Sequence, residues 1–324
     1  EENVLRISLV GMLVANTNYT LDIAPLRDLS GNLSEAVQIA FMTGTTAVAF
    51  DDIEPTWNVF SNAIIFSRAV GGKYDLFRVN TDGTGLLQLT STPANERHPS
   101  YSSDGSLIAY ASDESGNWDI WVQRVASGAK TRLTYLPEDE TAPAFCGTFS
   151  QLIAFVRREG SPASSRIYLM NADGSYNRRA DETSSRDETA PSFHPLLDNQ
   201  LLFVASEGGD YDIFSKSAFL ESGSPVNVNL TADLTGNEYQ ACFSADGSAI
   251  AFISDQAGVR NVWVMDPAGS SHYAVTRFTE PVHSIAYSPI SGDDRVVVSM
   301  GPSGSHSLYI ISLVSGNIER RLTE

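Results

Sequence analysis

From about residue 50 onward the chain is written in short apolar runs that alternate with polar positions and break at Asp-Gly or other turn residues. One pattern recurs six times: an acid, then Pro, then an aromatic. The openings are Asp52-Ile-Glu-Pro55-Thr-Trp57, Glu96-Arg-His-Pro99-Ser-Tyr101, Glu140-Thr-Ala-Pro143-Ala-Phe145, Glu188-Thr-Ala-Pro191-Ser-Phe193, Glu238-Tyr-Gln-Ala241-Cys-Phe243 and Val282-His-Ser-Ile285-Ala-Tyr287, with the aromatics 44 to 50 residues apart. A turn and an apolar run follow each opening, as in Asp104-Gly105 before Leu107-Ile-Ala-Tyr110, which is a hairpin signal. A third run alternates with period two, as in Asp119-Ile-Trp-Val122 and Asn261-Val-Trp-Val-Met265, and reads as strand. After a second turn, such as Asp82-Gly83 or Asp173-Gly174, the units close on Leu89-Thr90, Leu133-Thr134, Leu230-Thr231, Phe278-Thr279 and Leu322-Thr323. The third unit departs, with Arg179-Ala180 at the close and Arg166 where Asp opens the third run elsewhere. No stretch carries an apolar 3.6-residue period long enough for a helix.

Four short antiparallel strands cannot bury both faces of a small sheet alone, whereas six such sheets stacked around an axis can. The expected fold is therefore all-β: a six-bladed β-propeller over residues 47–324 with four-stranded antiparallel blades. Because the first and last units share one phase, ring closure is expected from face packing of the first blade on the sixth, without a swapped strand. Residues 1–46 lie outside the repeat but alternate too, at Val4-Leu-Arg-Ile-Ser-Leu9, Tyr19-Thr-Leu-Asp-Ile23 and Ala36-Val-Gln-Ile-Ala-Phe41. The stretch from Asn18 through Asp28-Leu29-Ser30-Gly31-Asn32 to Gly44 resembles the C-terminal half of bacterial Ig-like sandwich domains. A partial Ig-like β segment is an unpaired sheet edge, and so a candidate for self-assembly.

Composition narrows the partners. The 324 residues carry 21 Lys+Arg against 39 Asp+Glu, a net charge of −18. At a pI near 4.6 the chain repels phosphate backbones and anionic lipid, which argues against nucleic-acid and membrane-surface binding. No run of 18 apolar residues is present to span a bilayer, and no basic-then-apolar leader opens the chain. A first residue of Glu points to a processed or excised product. Cys146 and Cys242 are too few for a disulfide scaffold and are expected as two free thiols.

The propeller resembles the TolB-like repeat family, on the residues Pro99-Ser-Tyr101-Ser-Ser-Asp104-Gly105-Ser-Leu-Ile-Ala-Tyr110, Gly116-Asn-Trp-Asp119-Ile-Trp121, Asn171-Ala-Asp173-Gly174 and Arg132-Leu133-Thr134. The resemblance covers about residues 50–324 and implies the fold. Such propellers occur in the Tol–Pal envelope system, in protease-associated propellers and in many surface proteins, so fold alone does not transfer a function.

The candidate ligand-binding constellation is the set of acids before the anchors: Asp52, Glu96, Glu140, Glu188 and Glu238, with Val282 breaking the series. If first strands line the channel, five carboxylates ring one mouth of it, and such oxygen ligands suit Ca²⁺. The alternative is that each acid serves a local turn or a neighbouring blade. His98, His194 and His283 fall near first strands and could build a metal site for a lyase or hydrolase; such a reading requires them to converge. No serine elbow, phosphate loop or Cys-x-x-Cys motif is present. The resulting expectation is a non-enzymatic, extracytoplasmic protein, periplasmic, cell-surface or secreted, that binds a protein or a surface glycan through its loops and channel mouth. The alternatives are the metal-assisted enzyme and a structural subunit of a surface filament or layer.

Overall fold

Each of the six openings forms the first strand of its blade. In the computed structural model these are Asp52–Trp57, Glu96–Tyr101, Glu140–Phe145, Glu188–Phe193, Glu238–Phe243 and Val282–Tyr287. The structure describes residues 18–23, 37–42, 50–58, 62–147, 151–160, 163–182, 184–197, 199–207, 209–217 and 227–323. The chain clusters into two units, 1–49 and 50–324. In the first, strands Asn18–Ile23 and Val37–Met42 pair antiparallel, with Asn18 opposite Met42. The predicted strand Val4–Leu9 and the rest of the Ig-like comparison lie outside the described residues.

The second unit is the propeller: six sheets, each of four antiparallel strands taken in chain order. Each first strand contacts the first strand of the next blade, and the sixth contacts the first, which closes the ring. No strand is exchanged at closure, as expected. The seam is a core shared by Trp57, Ile64, Phe66, Phe77 and Val79 of blade 1 with Val297, Leu308, Ile310 and Leu322 of blade 6. Second strands are buried on both faces, as in Ala63–Phe66, Leu107–Ser112 and Ile250–Ser254, because each is flanked by strands and covered by neighbouring blades. Alternation is kept in the third strands, which place Ile120 and Val122 in the core and leave Trp121 half-buried.

The recurring closing pair now has a physical meaning. The backbone N–H groups of Leu76, Ile120, Ile213, Val262 and Leu308, on third strands, donate to the hydroxyls of Thr90, Thr134, Thr231, Thr276 and Thr323 at 2.8–3.0 Å. Each threonine thus replaces a missing ladder partner for a buried donor. Two assignments change accordingly. Blade 5 closes on Val275-Thr276 rather than Phe278-Thr279, since Val275 N–H donates to Val262 C=O. Blade 3 closes on Ala180-Asp181, one residue later than read, since Ala180 N–H donates to Ile167 C=O. Asp181 takes the threonine position there, and Ile167 N–H turns to the Glu188 carboxylate at 3.2 Å.

Candidate functional site

The channel is built by an interruption in every first strand. Between the acid and the aromatic, the pairing with the second strand slips by one residue, as between Ile53 and Thr56 or between Thr189 and Ser192. Such a bulge reorients the residues beside it. In blades 1 to 4 it places Glu54, His98, Ala142 and Ala190 in the left-handed region, at φ 58°, 53°, 49° and 48°. Each precedes a proline, which has no N–H to give to the ladder. The bulge residues of all six blades, Glu54, His98, Ala142, Ala190, Gln240 and Ser284, line a cavity of about 250 Å³ at one end of the channel. Pro55, Pro99, Pro143 and Pro191 form the waist shared with a wider cavity of about 420 Å³ at the other end. There the walls are Trp57, Tyr101, Phe145, Phe193, Phe243 and Tyr287, with Leu196 and Pro289 beside them.

At the narrower end Glu54 is the hub. Its carboxylate accepts from Arg97 Nη2, from His98 N–H at 2.8 Å and from Ser67 Oγ at 2.9 Å, and lies 3.0 Å from His98 Nε2. Burial raises the Glu54 pKa, but the His98 and Arg97 charges and hydrogen bonds together lower it by more, so the carboxyl ionises below its ordinary range. Burial depresses the protonation of His98 and of His283. His283 places Nε2 3.1 Å from Gly301 C=O, and its ring lies 4.0 Å from that of His306.

The five acids do not ring this mouth. None lines either cavity; all are buried in the blades, where each faces partners in its own or the preceding sheet. Asp52 forms a bidentate pair with Arg68 at 2.6 and 2.7 Å. Glu140 meets Arg157 at 2.8 Å and Glu188 meets Lys216 at 3.1 Å. Glu238 accepts from Ser254 Oγ at 2.8 Å, and Glu96 from Thr92 Oγ. The reason is the bulge: it falls after the acid, so the residue two positions later takes the channel-facing place.

The histidines divide in the same way. His98 and His283 reach the narrower cavity, while His194 packs on Phe243 at 4.7 Å, and its Nδ1 accepts from Leu196 N–H at 3.1 Å near the wider one. The three do not converge, and among the described residues no group of three or more His, Cys, Asp or Glu is placed to hold a metal ion. Cys146 and Cys242 are not joined in a disulfide and lie in the wall of the wider cavity, and burial pushes the Cys242 thiol up to about 12. Two polar groups escaped the sequence reading: Glu54, whose signal is the acid directly before Pro55, and Asp51, which bonds His306 across the seam.

Residues 119–277 match the family described as the TolB beta propeller domain. A Tol-Pal system protein TolB from Francisella tularensis subsp. mediasiatica is 26% identical over 252 residues, 76% of this chain and 55% of that protein. A TolB homolog from Chlorobaculum tepidum is 28% identical over 122 residues, 38% of this chain and 27% of that protein. The chain thus spans about half the length, or less, of these curated relatives. Among solved structures, TolB from Acinetobacter baumannii superposes with a TM-score of 0.67 at 21% identity, over 81% of this chain and 63% of that one. A puromycin hydrolase superposes at 0.59 with 15% identity, over 83% of this chain and 46% of that one. Likeness at these identities establishes fold alone. From repeat, architecture and relatives together, residues 50–324 form a six-bladed β-propeller similar to that of TolB, with residues 119–277 matching the TolB beta propeller domain.

Proposed function

We propose that the propeller is a non-enzymatic, extracytoplasmic binding module, periplasmic in the manner of a Tol–Pal component, and that a protein partner docks at the wider channel mouth. The observation that carries this is the shape of that mouth. It is a 420 Å³ funnel with an apolar rim at Leu196, which is 62% exposed, over walls supplied by all six blades. An exposed apolar group over a concave, preformed pocket suits an inserted peptide side chain. A protein is favoured over a surface glycan because Trp57, Phe145, Phe193 and Phe243 are only 6–7% exposed and offer no open face for a sugar ring. Similarity to Tol-Pal system proteins supports the compartment and the class of partner.

The test is calorimetric titration of the full chain with the Pal protein of the same organism, comparing the wild type with Leu196→Asp. Measurable binding by the wild type, weakened about tenfold or more by Leu196→Asp at unchanged melting temperature, is expected. No heat of binding, or equal affinity of the two chains, would overturn the reading.

A further inference from the structure

The buried acid that opens each blade is compensated differently around the ring. In blades 1 and 3 the cross-strand partners are cations, Arg68 opposite Asp52 and Arg157 opposite Glu140. In blade 4 the cation comes from the third strand, where fully buried Lys216 reaches Glu188. Blade 6 has neither charge: Val282 stands opposite Met300. Blades 2 and 5 keep the acid and lose the cation, with Ser112 opposite Glu96 and Ser254 opposite Glu238. Both glutamates are 0% exposed, and each has a buried Oε2 without a hydrogen-bond partner, as Glu140 also does; what they lack is the cation that Glu140 has in Arg157.

What faces them across the joint is another acid. Beside Glu96 stands the carboxyl of Asp75, which pushes the Glu96 pKa up and whose own charge is met by Lys73 at 2.6 Å; Lys130 acts on Glu96 only through its charge. Glu238 accepts from Ser254 Oγ at 2.8 Å and faces Asp212 and Asp255. Asp212 accepts from Asn229 at 3.0 Å and Thr231 at 3.2 Å, and Asp255 from Tyr239 at 2.6 Å. The neighbouring cations are engaged elsewhere, Arg260 over the Tyr239 ring at 3.7 Å and Lys216 on Glu188. A dehydrated carboxylate beside a second carboxylate has two remedies, a bound cation or a proton. No three acidic or histidine ligands converge among the described residues, which favours the proton.

We propose that blades 2 and 5 each hold a buried proton, on Glu96 and on Glu238, where blades 1, 3 and 4 hold a guanidinium or ammonium, so that the propeller tightens in mild acid and loosens in alkali. Burial, with Asp212 and Asp255 adding repulsion, pushes Glu238 up to about 7, and Glu96 is raised for the same first reason. Burial also lifts Asp52 and Glu140, but there a guanidinium pulls the other way. A carboxyl that holds its proton more tightly folded than unfolded adds stability at low pH. That stability is lost as pH rises from the ordinary glutamate value, 4.5, through the folded value.

Thermal melts of the full chain from about pH 5.5 to 8.5, with EDTA and with Ca²⁺, test this in the wild type, Glu238→Gln and Glu140→Gln. The wild type is expected to lose several degrees between pH 6 and 8.5, Glu238→Gln to flatten that slope and to melt at or above the wild type in alkali, and Glu140→Gln to melt lower at every pH because Arg157 is left unpaired. A slope unchanged in Glu238→Gln overturns the proposal. So does a Ca²⁺-dependent rise at alkaline pH that Glu238→Gln abolishes, since a metal ion would then fill the joint. Carboxyl ¹³C titration of the wild type decides independently of whether the variant folds: ionisation of Glu238 in the ordinary glutamate range overturns it.

Discussion

Ala142 and Ala190 sit in a left-handed backbone conformation that an L side chain adopts at a cost of about 1–2 kcal/mol. Glycine there removes the Cβ penalty and adds back some unfolded-state entropy. Ala142→Gly is therefore expected to stabilise the propeller by about 0.5–1 kcal/mol, read as a higher denaturation midpoint at unchanged slope. Destabilisation would mean that the alanine methyl packs more usefully in the channel wall than it strains the backbone. This conformation was not legible in the residues themselves, because Ala-Pro favours extended backbone for the alanine. The acids show a related limit. Their positions in the repeat were plain, but their direction depends on a bulge that falls between Ile53 and Thr56 in blade 1 and its equivalents elsewhere. Alternation fixes the face of a residue only while register is kept, and one extra residue exchanges the faces.

At the scale of strands and turns the repeat was legible because its signals are local: period-two runs, Asp-Gly turns and an aromatic at fixed offset. Asp104 and Asp246 each accept from the backbone and hydroxyl of the serine two residues on, which makes those turns self-contained. The closing pair of blade 5 was misread because Phe278-Thr279 and Val275-Thr276 have equal local merit, and only pairing with Val262 on the third strand chooses between them. Glycine in the outer hairpins has a second duty that sequence does not disclose. A Cβ on Gly269, at φ +77°, would stand 2.7 Å from Leu230 C=O and 2.8 Å from Leu230 Cα, both backbone atoms of the preceding blade. Gly174 approaches Leu133 C=O in the same manner, so the turn of one blade seats on the closing strand of the one before. Gly269→Ala should cost about 2 kcal/mol or more through overpacking and φ strain together. Urea unfolding measures this, and a change within about 0.5 kcal/mol would show that the joint yields instead.

At the scale of the ring, closure is the one joint made without chain continuity, and its polar contacts differ from the rest. At four of the five other joints the side chain of the residue before the first strand accepts one backbone N–H from the preceding blade, Tyr74 to Asn95, Trp118 to Asp139, Ser165 to Asp187 and Tyr211 to Asn237, while before the sixth blade that place is taken by Pro281. At the seam that residue is Asp51, which takes His306 N–H at 3.3 Å and also bonds the His306 ring and the Tyr74 hydroxyl. Trp57 Nε1 donates to Ala286 C=O at 3.0 Å and Ser299 Oγ to Asp52 C=O at 2.8 Å, completing the latch. Burial opposes the charge on Asp51, but the hydroxyl and imidazole donors outweigh it and hold the carboxyl below its ordinary value of 3.8. A depressed folded value means that the contribution is present above the unfolded value and disappears as pH falls through the folded one. Asp51→Asn, which keeps one acceptor oxygen and removes the charge, is thus expected to lower the melting temperature at neutral pH. The gap to the wild type should narrow below about pH 4. If the gap instead persists unchanged into acid, closure rests on the apolar face of Trp57, Val297 and Leu308 alone, and the polar contacts at Asp51 only follow the geometry that this core imposes.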